Sequence, residues 1–336
     1  MKHYLILRTA FVLASASLIF GCNKNSSSGN GSTTTATELQ SQADDQQQVS
    51  NEDEALNNDA NTVIYSQVSL TGTNSYSAGY RSGVTENSTT TTTQVNTPVI
   101  IPDLICDATV SVDSTASPRT ITITYNGTNC SGNRTRTGTV VITLANGVHW
   151  RDAGASVTLT ITNLVITRIR DNKSITINGT KTITNVTGGR LVDLATLGSI
   201  THTISGDLSI TFDNGTQRTW SVAKQRVFTY DNGIVISTTG NHSDGTLTGI
   251  AEWGTNRNGI SFASQISQPK VIRQDCDFRL VSGENIITRS DGYSSTITYG
   301  LDSSGNPTGC PGSGTYYFKV VVTKANGNVL TKILPY

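Results

Sequence analysis

Strict alternation of apolar and hydroxylated residues through most of the chain restricts it to one class of fold. Val157, Leu159 and Ile161 fall on one face of an extended segment while Thr158, Thr160 and Thr162 fall on the other. Ile175 with Ile177, and Leu208, Ile210 and Phe212, repeat the scheme. A period of two with threonine opposite aliphatic residues describes an antiparallel strand that buries one side only. Between the runs stand Asn146-Gly147, Asn178-Gly179, Asp213-Asn214-Gly215, Asp231-Asn232-Gly233, Asp244-Gly245, Asn258-Gly259, Asp291-Gly292 and Asn326-Gly327. Such pairs accept the positive φ angles of tight hairpins. The expectation is an all-β antiparallel meander over residues 99–336, forming a sandwich or an elongated twisted double sheet. With 31 Gly, a single Met and 14% charged residues in 336, composition agrees with strands rather than helices.

An internal duplication lies within the meander. Cys106-Asp107, Thr122-Ile123-Thr124-Tyr125, Cys130, Gly132 and Val140-Val141-Ile142-Thr143 return as Cys276-Asp277, Thr296-Ile297-Thr298-Tyr299, Cys310, Gly312 and Val320-Val321-Val322-Thr323. Asn146-Gly147 and Asn326-Gly327 close the two copies at the same offset from the second cysteine. The repeat units therefore run near 106–147 and 276–327, each a cysteine-bounded hairpin. Cys22 apart, the four remaining cysteines allow three pairings, and only Cys106 with Cys130 and Cys276 with Cys310 respect the repeat. A metal site is the competing reading. Against it, Cys-x-x-Cys spacing is missing and the histidines are scattered at positions 3, 149, 202 and 242.

The amino-terminal segment has a different character. Lys2 and Arg8 precede or flank an apolar run from Tyr4 to Phe20, too short for a mature membrane span, and Ile19-Phe20-Gly21-Cys22 resembles a bacterial lipobox. Residues 1–21 are expected to be a lipoprotein signal peptide and Cys22 the site of lipid attachment. Two or more acyl chains, palmitate among them, anchor a protein stably where one does not. Residues 23–60 hold one cation, Lys24, against seven acids, Glu38, Asp44, Asp45, Glu52, Asp53, Glu54 and Asp59. Subtracting Lys2, Arg8, Lys24 and those seven acids from 24 cations and 24 anions leaves 21 − 17 = +4 on residues 61–336. The expectation for 22–60 is an acidic tether, part surface helix or coil, holding the domain off a membrane. Residues 61–98, rich in Thr and Ser, are expected to be a linker or an edge strand. The mild positive excess contains no basic run, which speaks against nucleic acid as a partner.

Groups suited to catalysis are sparse. Residues 99–336 contain two glutamates, Glu252 and Glu284, and most aspartates stand in turn sequences that explain them. Glu252 with Asp277 is the pair a glycosidase reading would invoke, and His149 beside Trp150 and Arg151 is the other cluster to consider. No nucleophile elbow, metalloprotease helix or phosphate loop is present, and no cofactor is implied. Trp150, Trp220 and Trp253, with Tyr316-Tyr317, offer aromatic faces for a sugar ring, with core packing as the alternative. Asp113-Ser114-Thr115 presents Ser114 as a candidate O-glycan acceptor.

The Thr122-Ile123-Thr124-Tyr125-Asn126-Gly127 strand and turn before Cys130 and the stretch from Arg134 to Thr143 carry a resemblance to a known group of proteins. So do Gly179 to Asn185, Gly254 to Gly259 ahead of Phe262, and the segment around Cys276. On these motifs the chain resembles a family of uncharacterised cell-envelope lipoproteins of Bacteroidetes. The resemblance implies a β-rich fold and an envelope location, with no activity attached. Surface-exported lipoproteins of that phylum often carry acidic residues directly after the lipidated cysteine, where this chain has Asn23-Lys24-Asn25. The functional expectation is a lipid-anchored structural or interaction protein without catalytic activity, most simply at the outer membrane. Its partners would be the membrane, through the lipid on Cys22, and a glycan or another envelope protein. The alternative is a carbohydrate-binding accessory lipoprotein.

Overall fold

The computed structural model describes residues 36–67, 70, 105–276, 278–310 and 314–336. Cys22, residues 1–35 and residues 71–104 lie outside them, and so does Asp277. The first described element is α1 (Ala36–Ser66), 31 residues without Gly or Pro. Its last turn closes with the Ser66 hydroxyl donating to the Val63 carbonyl, which satisfies one of the acceptors a helix end leaves open. Among the described residues fifteen strands follow. They are β1 (Ala108–Asp113), β2 (Arg119–Thr128), β3 (Arg134–Leu144), β4 (Ala155–Arg168), β5 (Ser174–Asn185), β6 (Ser199–Phe212), β7 (Gln217–Tyr230) and β8 (Ile234–Gly240). After these come β9 (His242–Ser243), β10 (Thr248–Thr255), β11 (Ser261–Arg273), β12 (Arg279–Arg289), β13 (Ser294–Leu301), β14 (Tyr317–Thr323) and β15 (Val329–Pro335). A short helix, α2 (Leu194–Leu197), interrupts the β5–β6 connection.

Hydrogen bonding joins all fifteen strands into one antiparallel sheet, with neighbours nearly always consecutive in sequence. The exception is local. The first half of β7 pairs with β10 and its second half with β8, and β11 divides between the same two strands. Most Asn-Gly and Asp-Gly pairs do turn the chain between strands, as their tolerance of positive φ requires. Asn178-Gly179 does not: it lies inside β5, next to a register break between β4 and β5.

The duplication is structural as well as sequential. Each copy places a cysteine before a first strand, a second cysteine after the next strand, and a third strand beyond it. Ile123 pairs with Val140 across β2 and β3, and the equivalent Ile297 pairs with Val320 across β13 and β14. Disulfides join Cys106 to Cys130 and Cys276 to Cys310, with Cα atoms 5.1 Å apart in both.

Segment 36–60 departs from the expected tether. Val49, Leu56, Ala60, Val63 and Ile64 of α1 are buried in the same core as Ile121, Ile142, Leu159, Ile177 and Val320 of the sheet. Side chains from β2, β3, β4, β5, β7, β10, β11 and β12 all reach α1. The inner face of the sheet therefore curves around this helix, and residues 61–66 belong to it instead of to a linker. A second, smaller core of Leu191, Leu194, Ile200, Phe228, Ile236 and Ile272 lies under α2.

Candidate functional site

Among the described residues the interior between α1 and the sheet holds the densest set of charged side chains. Period two explains how charged groups arrive there. On β7, Arg218, Trp220, Val222, Lys224, Arg226 and Phe228 share one parity, and all six are buried. On β5, Lys181 falls on the face of Ile177 and Ile183. Two of the three buried lysines, Lys181 and Lys270, run beside glycines of neighbouring strands. A Cβ on Gly206 would lie 2.9 Å from Lys181 Cγ, and one on Gly283 would lie 3.1 Å from Lys270 Cγ. Glycine is what lets each stem pass inward.

The acids of α1 meet these cations one by one. Asp44 pairs with Arg168 at 2.6 Å and Arg170 at 3.0 Å, and Asp45 with Arg257 at 2.6 Å. Glu52 faces Arg134 at 3.3 Å, while Asp59 pairs with Arg136 at 2.7 Å and accepts from the Tyr125 hydroxyl at 2.9 Å. At the centre Asp53 bridges Lys181 and Lys224, the latter at 2.8 Å, and Glu54 meets Lys224 at 3.1 Å. From the sheet itself Glu252 pairs with Lys224 at 2.9 Å and accepts hydrogen bonds from Ser50 and Gln46. Burial pushes the Asp53 carboxyl upward, but the two ammonium groups outweigh that and hold it far below the usual carboxylate range. Burial wins at Glu52, whose carboxyl is raised despite Arg134. Lys224 loses affinity for its proton through burial and regains more from Asp53, Glu252 and Glu54. Removing one member of such a buried set leaves an uncompensated charge, which is why the arrangement fixes the rotation and height of α1 more than it adds net stability.

Two contiguous clefts open along α1. One, of about 780 Å³, is lined among others by Gln47, Gln48, Phe318 and Leu334. The other, of about 660 Å³, is lined by Ser50, Glu54, Thr238, Lys270 and Arg279. Asn51, Asn133, Arg134 and Tyr336 border both.

The aromatic platform weighed against core packing for the tryptophans does not form. Trp150 and Trp220 are buried, and the pairing of Trp253 with Ser221, next to that of Gly254 with Trp220, puts Trp253 on the opposite face of the sheet from Trp220. Trp253 stacks on His242 with centroids 4.1 Å apart, and Trp150 packs edge-on against His202 and Tyr65. Tyr316 is buried beside Tyr336. Core packing, not a sugar surface, accounts for Trp150 and Trp220.

The carboxylates separate in the same way. Glu252 points inward and is fully buried, while Glu284 is partly exposed, hydrogen-bonded to Ser267 and Thr298. They do not oppose each other across a cleft as glycoside hydrolysis would need. His149 lies within 3.6 Å of Asp152 at an exposed turn, and Ser114 is exposed in a turn that Asp113 organises by accepting from Thr115 and Ala116. Cys276 and Cys310 come close to Asp275, but both sulfurs are engaged in the disulfide and are unsuited to a metal.

The residues that sequence reasoning passed over are Lys181, Arg218, Lys224, Arg226 and Lys270. Their signal was present: each occupies the apolar parity of its strand. Among the described residues no helix is long and apolar enough to cross a membrane. No family model matches the chain, and comparison with curated proteins and with solved structures finds no match.

Proposed function

We propose that the chain is a lipid-anchored structural or interaction protein of the bacterial cell envelope, working without catalysis and held at the outer membrane through the lipid on Cys22. One observation supports the non-catalytic reading above others: the carboxylates of the interior are engaged by the chain's own lysines and arginines. Asp53, Glu54 and Glu252 all contact Lys224, so none stands ready as a free acid or base. The lipobox at Cys22, the disulfides and the resemblance to envelope lipoproteins support the compartment.

The test has two arms. Metabolic labelling with palmitate should mark the wild-type protein and leave Cys22→Ser unlabelled and soluble. Persistence of label and membrane association in Cys22→Ser would remove the anchoring claim. For the role, photo-crosslinking from outward positions such as Thr219 and Trp253 in intact cells should give discrete adducts with envelope proteins. Monomer at every position would count against an interaction role.

A further inference from the structure

A row of three inward side chains crosses the sheet where β7, β8 and β11 meet. Arg226 pairs in register with Thr238, and Thr238 with Lys270, so the three are cross-strand neighbours on one face. Arg226 and Thr238 are fully buried, and Lys270 is 4% exposed. Thr238 and Lys270 line the 660 Å³ cleft beside α1.

The charges around this row do not cancel. Lys181, Lys224, Arg226 and Lys270 face Asp53, Glu54 and Glu252, four cations against three carboxylates. Asp53 is taken by Lys181 and Lys224, Glu252 by Lys224, and Glu54 by Lys224 with Arg226 at 3.7 Å. Lys270 forms no ion pair among the described residues; its ammonium donates to Ser50 Oγ at 3.1 Å and lies 5.3 Å from the centre of the Tyr299 ring. Among the described residues the Thr238 hydroxyl and the Nε and one terminal nitrogen of Arg226 have no hydrogen-bond partner. A buried donor without an acceptor is costly, and the Thr238 hydroxyl lining the cleft, with the Arg226 donors in register beside it, marks a place where an acceptor belongs. Asn51 and Asn58 add amide donors from α1, and Arg134 and Arg279 add further cations at the wall.

We propose that this cleft binds the oxyanion group of a small ligand, a phosphate or a carboxylate, between Lys270, Thr238 and the polar side chains of α1. An ammonium with two unused donors and an adjacent hydroxyl suit the several lone pairs of such a group. Burial, with the neighbouring Lys224, outweighs the pull of Glu252, Glu54 and Asp53 and weakens the hold of Lys270 on its proton, and an entering anion relieves that cost. Among the described residues Glu54 is the one acid lining the cleft, and Lys224 at 3.1 Å and Arg226 at 3.7 Å face its charge. The volume exceeds that of the anionic group alone, leaving room for the remainder of a small molecule toward Asn51, Asn133 and Tyr336. This inference stands apart from the envelope role, which holds with or without a ligand.

The experiment is a thermal-shift and calorimetric titration of the full-length protein in detergent. Inorganic phosphate and acetate are the probes, against sodium chloride at matched ionic strength. Phosphate or acetate should raise the melting temperature beyond the chloride control, the stronger of the two identifying the source of the oxyanion. Lys270→Gln, which keeps a donor for Ser50, should weaken binding at least tenfold. Thr238→Val, close in volume, should weaken it severalfold, and exposed Arg170→Gln should leave it unchanged. If Lys270→Gln fails to fold, Thr238→Val decides alone. The proposal is overturned if neither probe exceeds chloride, or if Thr238→Val and any folded Lys270→Gln bind as the wild type does, which would mean an adventitious ion only.

Discussion

The two copies of the cysteine unit share a backbone and differ in the chemistry of their inner faces. In the first, Arg136 stacks on Tyr125 at 4.3 Å and reaches Asp59 of α1 and Asp107. At the equivalent position of the second, four residues before the paired valine, stands Tyr316, which packs with Tyr336 and Arg279. Tyr299, the counterpart of Tyr125, joins Phe318 and Tyr336 in an aromatic group. The first copy grips the helix by charge, and the second builds a ring-lined wall. Duplication preserved strand register because hydrogen-bond ladders constrain backbone only, leaving each inward side chain to adapt to what it faces.

Substitution of the equivalent positions should break the symmetry most clearly. Arg136→Leu strands the fully buried carboxylate of Asp107 and should cost about 3–5 kcal/mol in urea unfolding. An Arg136→Leu protein as stable as wild type would show that the ion pairs of the first copy are incidental. Removing the disulfides tests what the copies still share. Cys106→Ser with Cys130→Ser, and Cys276→Ser with Cys310→Ser, open loops with separations of 24 and 34 residues. Each pair should lose about 3–4 kcal/mol, the two values lying close together because loop entropy grows only logarithmically. A large difference would mean that the units fold by unlike routes.

Acid should act elsewhere than on either copy's distinguishing residue. Burial between Trp150 and Phe228, with Arg226 nearby, lowers His202 from 6.5 to about 3. The folded protein therefore keeps His202 neutral while the unfolded chain takes up a proton below 6.5, so stability falls with pH through the window from 6.5 toward about 3. The slope from this residue reaches about 1.4 kcal/mol per pH unit. Asp44, Asp53 and Glu54, held low by cations, lose stability in the same direction only at more acidic pH, below the ordinary carboxylate range. His202→Phe should flatten the profile above pH 4–5 and leave the lower part; an unaltered profile would assign the acid response to another group.

Smaller effects sharpen the contrast from the other side. Tyr316→Leu exchanges one apolar group for another and should cost about 1–2 kcal/mol, well under the cost of Arg136→Leu. Arg170→Ala removes an exposed partner from Asp44, which Arg168 still neutralises, and should change stability by less than about 1 kcal/mol.

Much of the architecture was legible from residues. Alternation at 157–162 and 208–212 located β4 and β6, and the repeat selected the cysteine pairing that the structure contains. The charge split between residues 23–60 and the rest is also visible in the sequence, where by itself it describes a solvated tether. Its meaning depended on Arg218, Lys224 and Arg226 sharing the parity of Trp220 and Phe228, a pattern that looks like an error in a strand until an acidic helix is set against it. The interior site was missed because its halves lie more than a hundred residues apart: Asp53 and Lys181 are separated by 128 positions.

By itself, then, the sequence determined strands, turns and the duplicated cysteine units, because side-chain period, turn dihedrals and repeat spacing are local properties. The tertiary structure alone decided that α1 lies within the curve of the sheet and that the tryptophans divide between its faces. The first follows from pairing buried charges across long separations, since desolvation makes a buried charge without a partner costly, and the second from strand register.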